Sequence, residues 1–412
     1  MKFNEKKIDI HIGQWLLLIS MMASFSIWFF GTKTFLTGKF YFQGNQLMFG
    51  AVVIILIFNL RKFLIEDWLI FAYAILIGSY SFFTTGIKYV DTPELNLVLP
   101  TIILIILCYK ICRFTEKENL VLFLLLFLII ITMSIKTING LSKIISLDRI
   151  LYFDNSLREL WINVNTIGSA IMVAVILLTI IMKQSEKKWM RFCIVFFYLI
   201  GLFITWICQS KTSLMVLFLF IILDNFIPKA FFQRFKLWLG VIPIIYIIMP
   251  FVSHFFADSV EYDLFTGRED IWKRFFDIWT TKDQFMQTGL GVYVDPVERL
   301  STHNSYLYTL SNYGIFGYIL LFGFLTLLIL LVGLNGGEKL SKKQVSCMLA
   351  FFMLSIYATM EDTLLVASWM PLFYIFIGFA LNERTALKRD KAEKSIQRYE
   401  DNSFSRMERY HL

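Results

Sequence analysis

Apolar runs alternate with short polar turns along almost the whole chain. Most runs approach the length of about 20 residues that a helix needs to cross a bilayer, and local thinning can accommodate the shorter ones. This pattern predicts an all-α polytopic membrane protein with about 12 transmembrane helices. The predicted spans are 14–31, 47–60, 67–86, 95–112, 118–136, 162–182, 190–208, 212–227, 236–253, 314–334, 344–361 and 363–382.

One long polar stretch, residues 254–304, separates the ninth span from the tenth. Connections longer than about 12–15 residues are usually either functional or disordered. Aromatic residues recur at helical spacing between Trp272 and Phe285, so the sequence predicts a large structured loop. Thr266 and Glu269 have the spacing of a capping box, which predicts a helix along the bilayer interface with Thr266 as its N-cap. Its predicted apolar face consists of Ile271, Phe275, Ile278 and Trp279, with Trp272 and Phe276 beside it.

The composition supports a membrane protein, because 57% of the residues are hydrophobic and only 17% are charged. A net charge of +8 would suit a nucleic-acid partner, but topology explains the cations more simply. About two thirds of the 39 Lys and Arg residues lie on the side of the predicted membrane that holds both termini, as the positive-inside rule expects of the cytoplasmic side. We therefore predict cytoplasmic termini, an extracellular 254–304 loop and no nucleic-acid partner.

Ionisable residues are almost absent from the middles of the predicted spans, whereas an ion-coupled transporter normally places them near the midplane. They gather instead where the chain meets one membrane face. The topology brings these positions to the same outer surface, which predicts an externally facing catalytic cleft. The converging residues are Arg158, Asn163, Asn165, Ser210, Lys211, Arg268, His303, Glu361 and Asp362.

Two units follow from this arrangement. Residues 1–383, including the loop, are predicted to form one transmembrane catalytic domain, and residues 384–412 a charged cytoplasmic tail. The five cysteines lie in or beside apolar runs, where packing is their simplest role. The sequence therefore predicts no metal site, no disulfide framework and no cofactor.

Arg268 lies in the predicted first turn of the loop helix. Backbone N–H groups at a helix N-terminus bind phosphate, and a guanidinium can bind the same group through two hydrogen bonds. Arg268 could instead pair with Glu269 or Asp270 on a solvated helix face. The sequence leaves both interpretations open.

His303 is the favoured general base, because an ordinary pKa of about 6.5 leaves its imidazole mostly neutral outside the cell. Glu361 and Asp362 are rival bases, although they could also simply mark the water interface. His303 could alternatively cap a helix or orient an anion. Lys211, considered alone, is typical of a snorkelling lysine.

Polar and glycine-containing blocks recur at the outer ends of the later spans. They are Asn163-Val164-Asn165-Thr166-Ile167-Gly168, Ser210-Lys211-Thr212, Gly267-Arg268 with Trp272, and His303-Asn304-Ser305-Tyr306-Leu307 followed by Gly314-Ile315-Phe316-Gly317. In this order they resemble the superfamily of O-antigen ligases and O-antigen, capsule and exopolysaccharide polymerases of bacterial membranes. Val164 stands where Pro is common in that superfamily, and Lys211 where Arg is frequent. Lysine keeps the charge but loses the bidentate fork.

The resemblance implies a multi-pass glycosyltransferase of the bacterial cytoplasmic membrane that works at the outer face without a metal. It implies transfer of a glycan from undecaprenyl diphosphate, with inversion, and the favoured reaction is polymerisation of lipid-linked oligosaccharide repeat units. Membrane lipid, a flippase and a chain-length regulator are the implied partners. The implied catalytic residues are His303, Arg268 and Glu361, and the implied substrate-binding residues are Lys211, Arg158, Asn163, Asn165, Ser210, Asn304, Tyr306, Asp362 and Trp272.

Three other functions remain open from the sequence. A ligase of the same superfamily would transfer a finished glycan to another lipid or to a protein. A flippase or exporter of the lipid-linked sugar could also have twelve spans, although apolar span interiors and a structured outer loop count against it. A non-catalytic scaffold has no need of cations, a histidine and carboxylates on one face.

Overall fold

The fold is described by a computed structural model. Throughout the residues that it describes, the regular secondary structure is helical and contains no strand. This confirms the α-helical class that the apolar runs predict. The described residues are 12–30, 35–85, 96–140, 164–184, 188–208, 210–257, 267–290, 302–334 and 339–386.

The described helices are numbered in chain order. A π-helical turn, Ile222–Phe226, follows α8, and a 3-10 turn, Lys236–Gly240, precedes α10. Helical conformation resumes after α15 over 375–386. The helices are α1 (Ile12–Phe30), α2 (Phe35–Asn59), α3 (Ile65–Thr85), α4 (Val98–Ile111), α5 (Glu116–Gly140), α6 (Val164–Gln184), α7 (Lys188–Ile207), α8 (Lys211–Ile221), α9 (Lys229–Arg234), α10 (Val241–Ala257), α11 (Arg268–Trp279), α12 (Asp283–Thr288), α13 (Ser305–Gly333), α14 (Lys342–Tyr357) and α15 (Met370–Phe373).

Each predicted span coincides at least in part with a helix. Within the described residues, 6 helices are long and apolar enough to cross a membrane, and three shorter apolar helices accompany them. The protein is therefore an α-helical membrane protein, while the count of twelve spans stays a prediction. The longer helices cover Gln43–Lys62, Ile65–Thr84, Glu116–Ile135, Ile167–Gln184, Lys236–Ala257 and Ser305–Gly333, and the shorter ones Ile12–Ile27, Val98–Ile111 and Phe192–Ile207.

Two helices lie at the centre of the bundle. α4 is buried from Val98 to Lys110, and α6 is buried over 167–182. Helices that are apolar on all sides are normally buried in this way. By contrast, α7 and α10 expose large apolar side chains such as Phe192 and Phe251. Their outer surfaces suit contact with lipid hydrocarbon, so the apolar composition serves both an interior core and a lipid-facing exterior.

The loop helix α11 begins differently from the prediction. Its N-cap is Gly267 and not Thr266, and Thr266 lies outside the described residues. Gly267 has a φ of +79°, a left-handed conformation that glycine adopts at little cost. The predicted capping box is therefore wrong: Glu269 occupies the second helical position and is buried.

The apolar face of α11 is also rotated from the predicted one. Ile278 is largely exposed and Ile271 only partly buried, so these two residues do not belong to it. The buried aromatic residues pack against α10, α12 and the first turns of α13, and they form a second hydrophobic core beside the bundle. The face consists of Trp272, Phe275, Phe276 and Trp279.

The last two predicted spans have different boundaries in the structure. α14 ends at Tyr357, and residues 358–369 form turns before α15 begins. The predicted end of one span at 361 and the predicted start of the next at 363 are therefore wrong. Backbone and side-chain groups of this segment bond instead to the start of α13. The predicted start of the tenth span at Gly314 marks a kink inside α13, where φ is +63° and ψ is −170°. Of the predicted tail, only 384–386 lie within the described residues.

Candidate functional site

The side chain of Glu361 meets two other charged or titratable side chains, each from a separate segment of the chain. Its Oε1 accepts a hydrogen bond from Arg268 Nη2 at 2.9 Å, and its Oε2 lies 3.6 Å from His303 Nδ1. The side chains of Arg268 and Glu361 are 16% and 17% exposed, and that of His303 is 36% exposed. These three residues, the Glu361 cluster, are held in a defined arrangement and remain accessible to a ligand.

Arg268 is held in place by its helix. It is the first residue of α11, directly after Gly267. One turn later, Trp272 is buried and donates its indole N–H to the carbonyl of Thr302 at 3.0 Å. This bond ties the loop helix to the segment that carries His303. Trp272 is predicted to contact substrate, but its burial makes it part of the scaffold beneath the site.

His303 has an unusual backbone conformation, with φ at +47°, and within the described part of the chain it is the one non-glycine residue with a positive φ. Such conformations cost roughly 1–3 kcal/mol and persist where the surroundings fix them. The carboxylate of Asp362 accepts hydrogen bonds from the backbone N–H of His303 at 3.2 Å and of Asn304 at 2.8 Å. The Thr302 hydroxyl lies 3.2 Å from the same carboxylate. Asp362 therefore holds the turn that orients His303.

Ser305 fixes the backbone of Glu361. Its hydroxyl donates to the Glu361 carbonyl at 2.7 Å and accepts a hydrogen bond from the Leu364 N–H at 3.2 Å. Its own N–H donates to the Ala358 carbonyl at 2.9 Å. These bonds satisfy three backbone groups of the 358–369 turns that no helix pairs: the carbonyls of Ala358 and Glu361 and the N–H of Leu364. The start of α13 and these turns consequently form one unit.

Asn304 and Tyr306, both predicted to contact substrate, are buried instead. Asn304 is the N-cap of α13, and its side-chain oxygen accepts hydrogen bonds from the N–H groups of Tyr306 and Leu307. Its amide nitrogen donates to Ser253 Oγ at 2.9 Å. The Tyr306 hydroxyl donates to the Ser355 carbonyl at 2.8 Å. Both residues therefore stabilise the segment on which His303 sits.

The pKa of His303 lies above its ordinary value. The contact of its Nδ1 with the Glu361 carboxylate is the largest cause, and the negative charges of Glu361 and Asp362 add to it. Burial and the positive charge of Arg268 act in the opposite direction. Relative to an ordinary imidazole, the carboxylates therefore shift His303 towards its protonated form.

A chain of buried hydroxyl groups runs from Ser210 towards this cluster. Ser210 Oγ lies 2.7 Å from Ser213 Oγ, which lies 3.4 Å from Ser169 Oγ, and Ser169 is hydrogen-bonded to the Tyr357 hydroxyl. Tyr357 is the last residue of α14 and precedes Glu361 by four residues. Sequence reasoning missed three members of the chain. The available signals were Ser213 three residues after Ser210 and Tyr357 four residues before Glu361.

Lys211 lies apart from the Glu361 cluster, at the exposed start of α8. Within the described residues it forms no hydrogen bond and no ion pair. It stands beside an apolar groove of about 600 Å³ between α7 and α8. Its neighbour Ser210 begins the hydroxyl chain that ends at Tyr357, four residues before Glu361. The groove is lined by Leu202, Phe203, Trp206, Lys211, Leu214, Met215 and Phe218.

Three predicted site residues cannot be placed with their side chains. Arg158 and Asn163 lie outside the described residues, and Asn165 lies in the first turn of α6 without a described side chain. Further along the same helix, a Cβ added to Gly168 would overlap the Cβ of Ser210. The backbone of α6 therefore approaches Ser210 so closely that only glycine fits at 168.

The arrangement provides the parts for acid–base chemistry on an anionic substrate. Arg268 supplies a fixed cation, while Glu361 and His303 can exchange a proton with a bound group. Among the described residues, no set of three or more His, Cys, Asp or Glu side chains is grouped to hold a metal ion.

Comparisons of the chain with protein-family models, with curated proteins and with solved structures give no match.

Proposed function

We propose that the protein is a polymerase that joins undecaprenyl-diphosphate-linked oligosaccharide repeat units at the outer face of a bacterial cytoplasmic membrane. The observation that carries this proposal is the partly exposed Glu361 cluster, which contains a cation, a carboxylate and an imidazole from three separate segments of the chain. The order of the sequence blocks that resemble O-antigen polymerases also supports it.

The donor would be an amphiphile. An apolar groove facing outward between α7 and α8 suits a hydrocarbon chain, and Lys211 at the groove suits an anionic head group. Lys211 forms no ion pair within the described residues, so a bound anion need not displace a carboxylate from it. This combination of apolar surface and one cation favours a polyprenyl diphosphate over a soluble nucleotide sugar.

Arg268 would stabilise the leaving group. A hydroxyl oxygen of the acceptor attacks the anomeric carbon, the bond from that carbon to the diphosphate oxygen breaks, and the diphosphate leaves with the electron pair. Charge therefore develops on the diphosphate as the reaction proceeds. A fixed guanidinium aimed at that charge accelerates the step without any metal.

His303 would take the proton of the attacking hydroxyl. Its Nδ1 faces Glu361, so proton acceptance would use Nε2, and the carboxylate would stabilise the imidazolium that forms. This is the arrangement of a base oriented by a third group. In the unliganded protein Glu361 also binds Arg268, and the diphosphate would compete with Glu361 for that guanidinium.

The topology needed is the one expected from the cation distribution, with both termini inside and the Glu361 cluster outside. Flippase and chain-length-regulator proteins would act before and after this enzyme. A ligase that uses the same donor would need the same cluster, so the number of sugars added per acceptor distinguishes the two reactions.

The test uses purified full-length protein in detergent. Its substrate is the undecaprenyl-diphosphate-linked oligosaccharide that accumulates in source cells from which the gene is deleted. Wild-type protein should give a ladder of longer glycans on a gel. Arg268→Ala should reduce the rate by about 10²–10³-fold, whereas Arg274→Ala, an exposed arginine of the same helix, should retain it. Absence of any longer glycan with wild type, or normal turnover by Arg268→Ala, would refute the proposal.

A further inference from the structure

Four buried hydroxyls link three helices at the end of the bundle that carries the site. Ser210 and Ser213 belong to the start of α8, Ser169 to α6 and Tyr357 to the last position of α14. All four residues are almost inaccessible to solvent. Buried hydroxyls that bond to one another fix side-chain positions, because breaking one bond leaves a polar group without a partner.

The same three helices are joined again at their opposite ends. Asp224, in the π-helical turn after α8, is buried and forms ion pairs with Lys183 of α6 and with Lys229 of α9. Ser346 of α14 donates a hydrogen bond to Asp224 at 2.8 Å. Ser213 and Asp224 are separated by about 17 Å at 1.5 Å per residue, so the two sets of contacts lie near the two ends of the helices.

Contacts at both ends resist sliding and tilting of these helices. Close packing at Gly168 adds to this, because the backbone of α6 there lies against Ser210. The position of α8 relative to α14 is consequently defined at the site end. Lys211 is the residue next to Ser210, and Glu361 follows Tyr357 by four residues. The hydroxyl chain therefore joins the start of α8, which carries Lys211, to the end of α14, four residues before Glu361.

We infer that Tyr357, Ser169 and Ser213 are positioning residues that hold Lys211 at the distance from Arg268 at which both cations bind one diphosphate. The inference rests on the proposed function and adds residues that do not touch the substrate. Two cations on one leaving group are effective only if their separation matches the group, because misplacement by about 1 Å can cost about 100-fold in rate.

A double-mutant cycle tests whether Tyr357 acts through Lys211. Tyr357→Phe removes one hydroxyl and keeps the ring, so it should lower kcat by about 10-fold while KM changes little, as expected of an interaction made in the transition state. In a Lys211→Ala background, the same change should lower kcat by less than about 2-fold. The control is Tyr109→Phe, whose equally buried hydroxyl donates to the Pro371 carbonyl at 2.7 Å and which should leave kcat unchanged.

The polymerisation assay gives each variant its kcat and KM, and thermal unfolding verifies folding. If Tyr357→Phe does not fold, Ser169→Ala replaces it in the same cycle. Equal losses of kcat with and without Lys211, or no loss in either background, would overturn the positioning role while leaving the proposed function in place. A wild-type protein that makes no longer glycan would instead overturn the proposed function, and the positioning role with it.

Discussion

Gly314→Ala should detach the segment 267–290 from the bundle. Gly314 lies at the kink of α13, with φ at +63° and ψ at −170°, a region that is almost restricted to glycine. A Cβ at this position would overlap the backbone of Gln287 and Thr288 at the end of α12. Backbone atoms cannot rotate away as a side chain can, so the loop would have to move.

The expected loss comes from three contributions. The conformation at residue 314 would cost roughly 1–3 kcal/mol for a residue with a side chain. Displacement of the loop would break the hydrogen bond from the Leu290 N–H to the Ser311 carbonyl at 2.7 Å, worth about 0.5–1.5 kcal/mol. It would also expose Leu290, which is buried and contributes roughly 1.5–3 kcal/mol. Since these contributions overlap, we expect a loss of about 3 kcal/mol.

Gly323→Ala is the matched control. Gly323 lies in the same helix, and a Cβ there would meet no atom within 4 Å, so alanine should be neutral or stabilise by up to about 1 kcal/mol. Thermal unfolding in detergent would compare the two variants, and hydrogen–deuterium exchange over 283–290 would report on loop docking. Equal midpoints and equal exchange in both variants would refute the reasoning about the kink.

Three further predictions concern charged groups. Asp362→Asn places an amide where two backbone N–H groups now donate to a carboxylate, so it should lower stability by roughly 1.5–3 kcal/mol; an unchanged unfolding midpoint would contradict this. Because Glu361 raises the pKa of His303, the neutral imidazole is lost as pH falls through a value above about 6.5. The acidic limb of the polymerisation rate should therefore lie above that pH, and a limb below it would exclude His303 as the base. Lys110→Met should lower the free energy of unfolding by about 3–5 kcal/mol, because it leaves buried Asp67 without its ion-pair partner. Adding Asp67→Asn should recover most of this loss in thermal unfolding, and no recovery would contradict a role of the Lys110–Asp67 pair in stability.

The apolar runs predict the helices well because hydrophobicity along a membrane helix is a local property of the sequence. The errors occur where tertiary contacts decide the conformation. The segment from Thr363 to Trp369 is largely apolar and resembles the start of a span. It forms turns because Leu364 and the preceding Glu361 bond to Ser305, which is distant in sequence. No local pattern contains that information.

The start of α11 shows a similar limit. Thr266 and Glu269 match a capping box, but Gly267 can adopt a left-handed conformation and begins the helix one residue later. The consequence is a rotated face, in which Trp272 and Phe276 are buried and Ile278 is exposed. Hydrophobicity alone ranks these residues almost equally, so the packing partner determines which of them are buried.

The three residues of the Glu361 cluster could be predicted from the sequence, whereas the buried residues that hold them in place could not. Topology alone indicates that Arg268, His303 and Glu361 approach one face, and the structure brings them into contact. The sequence does not distinguish exposed polar residues from buried ones, so Asn304 and Tyr306 are predicted beside them although both are buried. A polar residue within a recognisable block can serve either the substrate or the fold, and only its hydrogen bonds separate these roles.

The adjacent acids Glu361 and Asp362 show how this distinction decides chemistry. Asp362 accepts hydrogen bonds from two backbone N–H groups. A ligand that displaced it would leave those groups without partners, at a cost of about 1–3 kcal/mol for each. Glu361 faces the side chains of Arg268 and His303 and is partly exposed, so water can replace the guanidinium at its carboxylate when an arriving anion takes over Arg268. The two carboxylates are therefore not interchangeable as bases: Glu361 can exchange partners during a reaction, whereas Asp362 is committed to the turn that keeps His303 in its left-handed conformation.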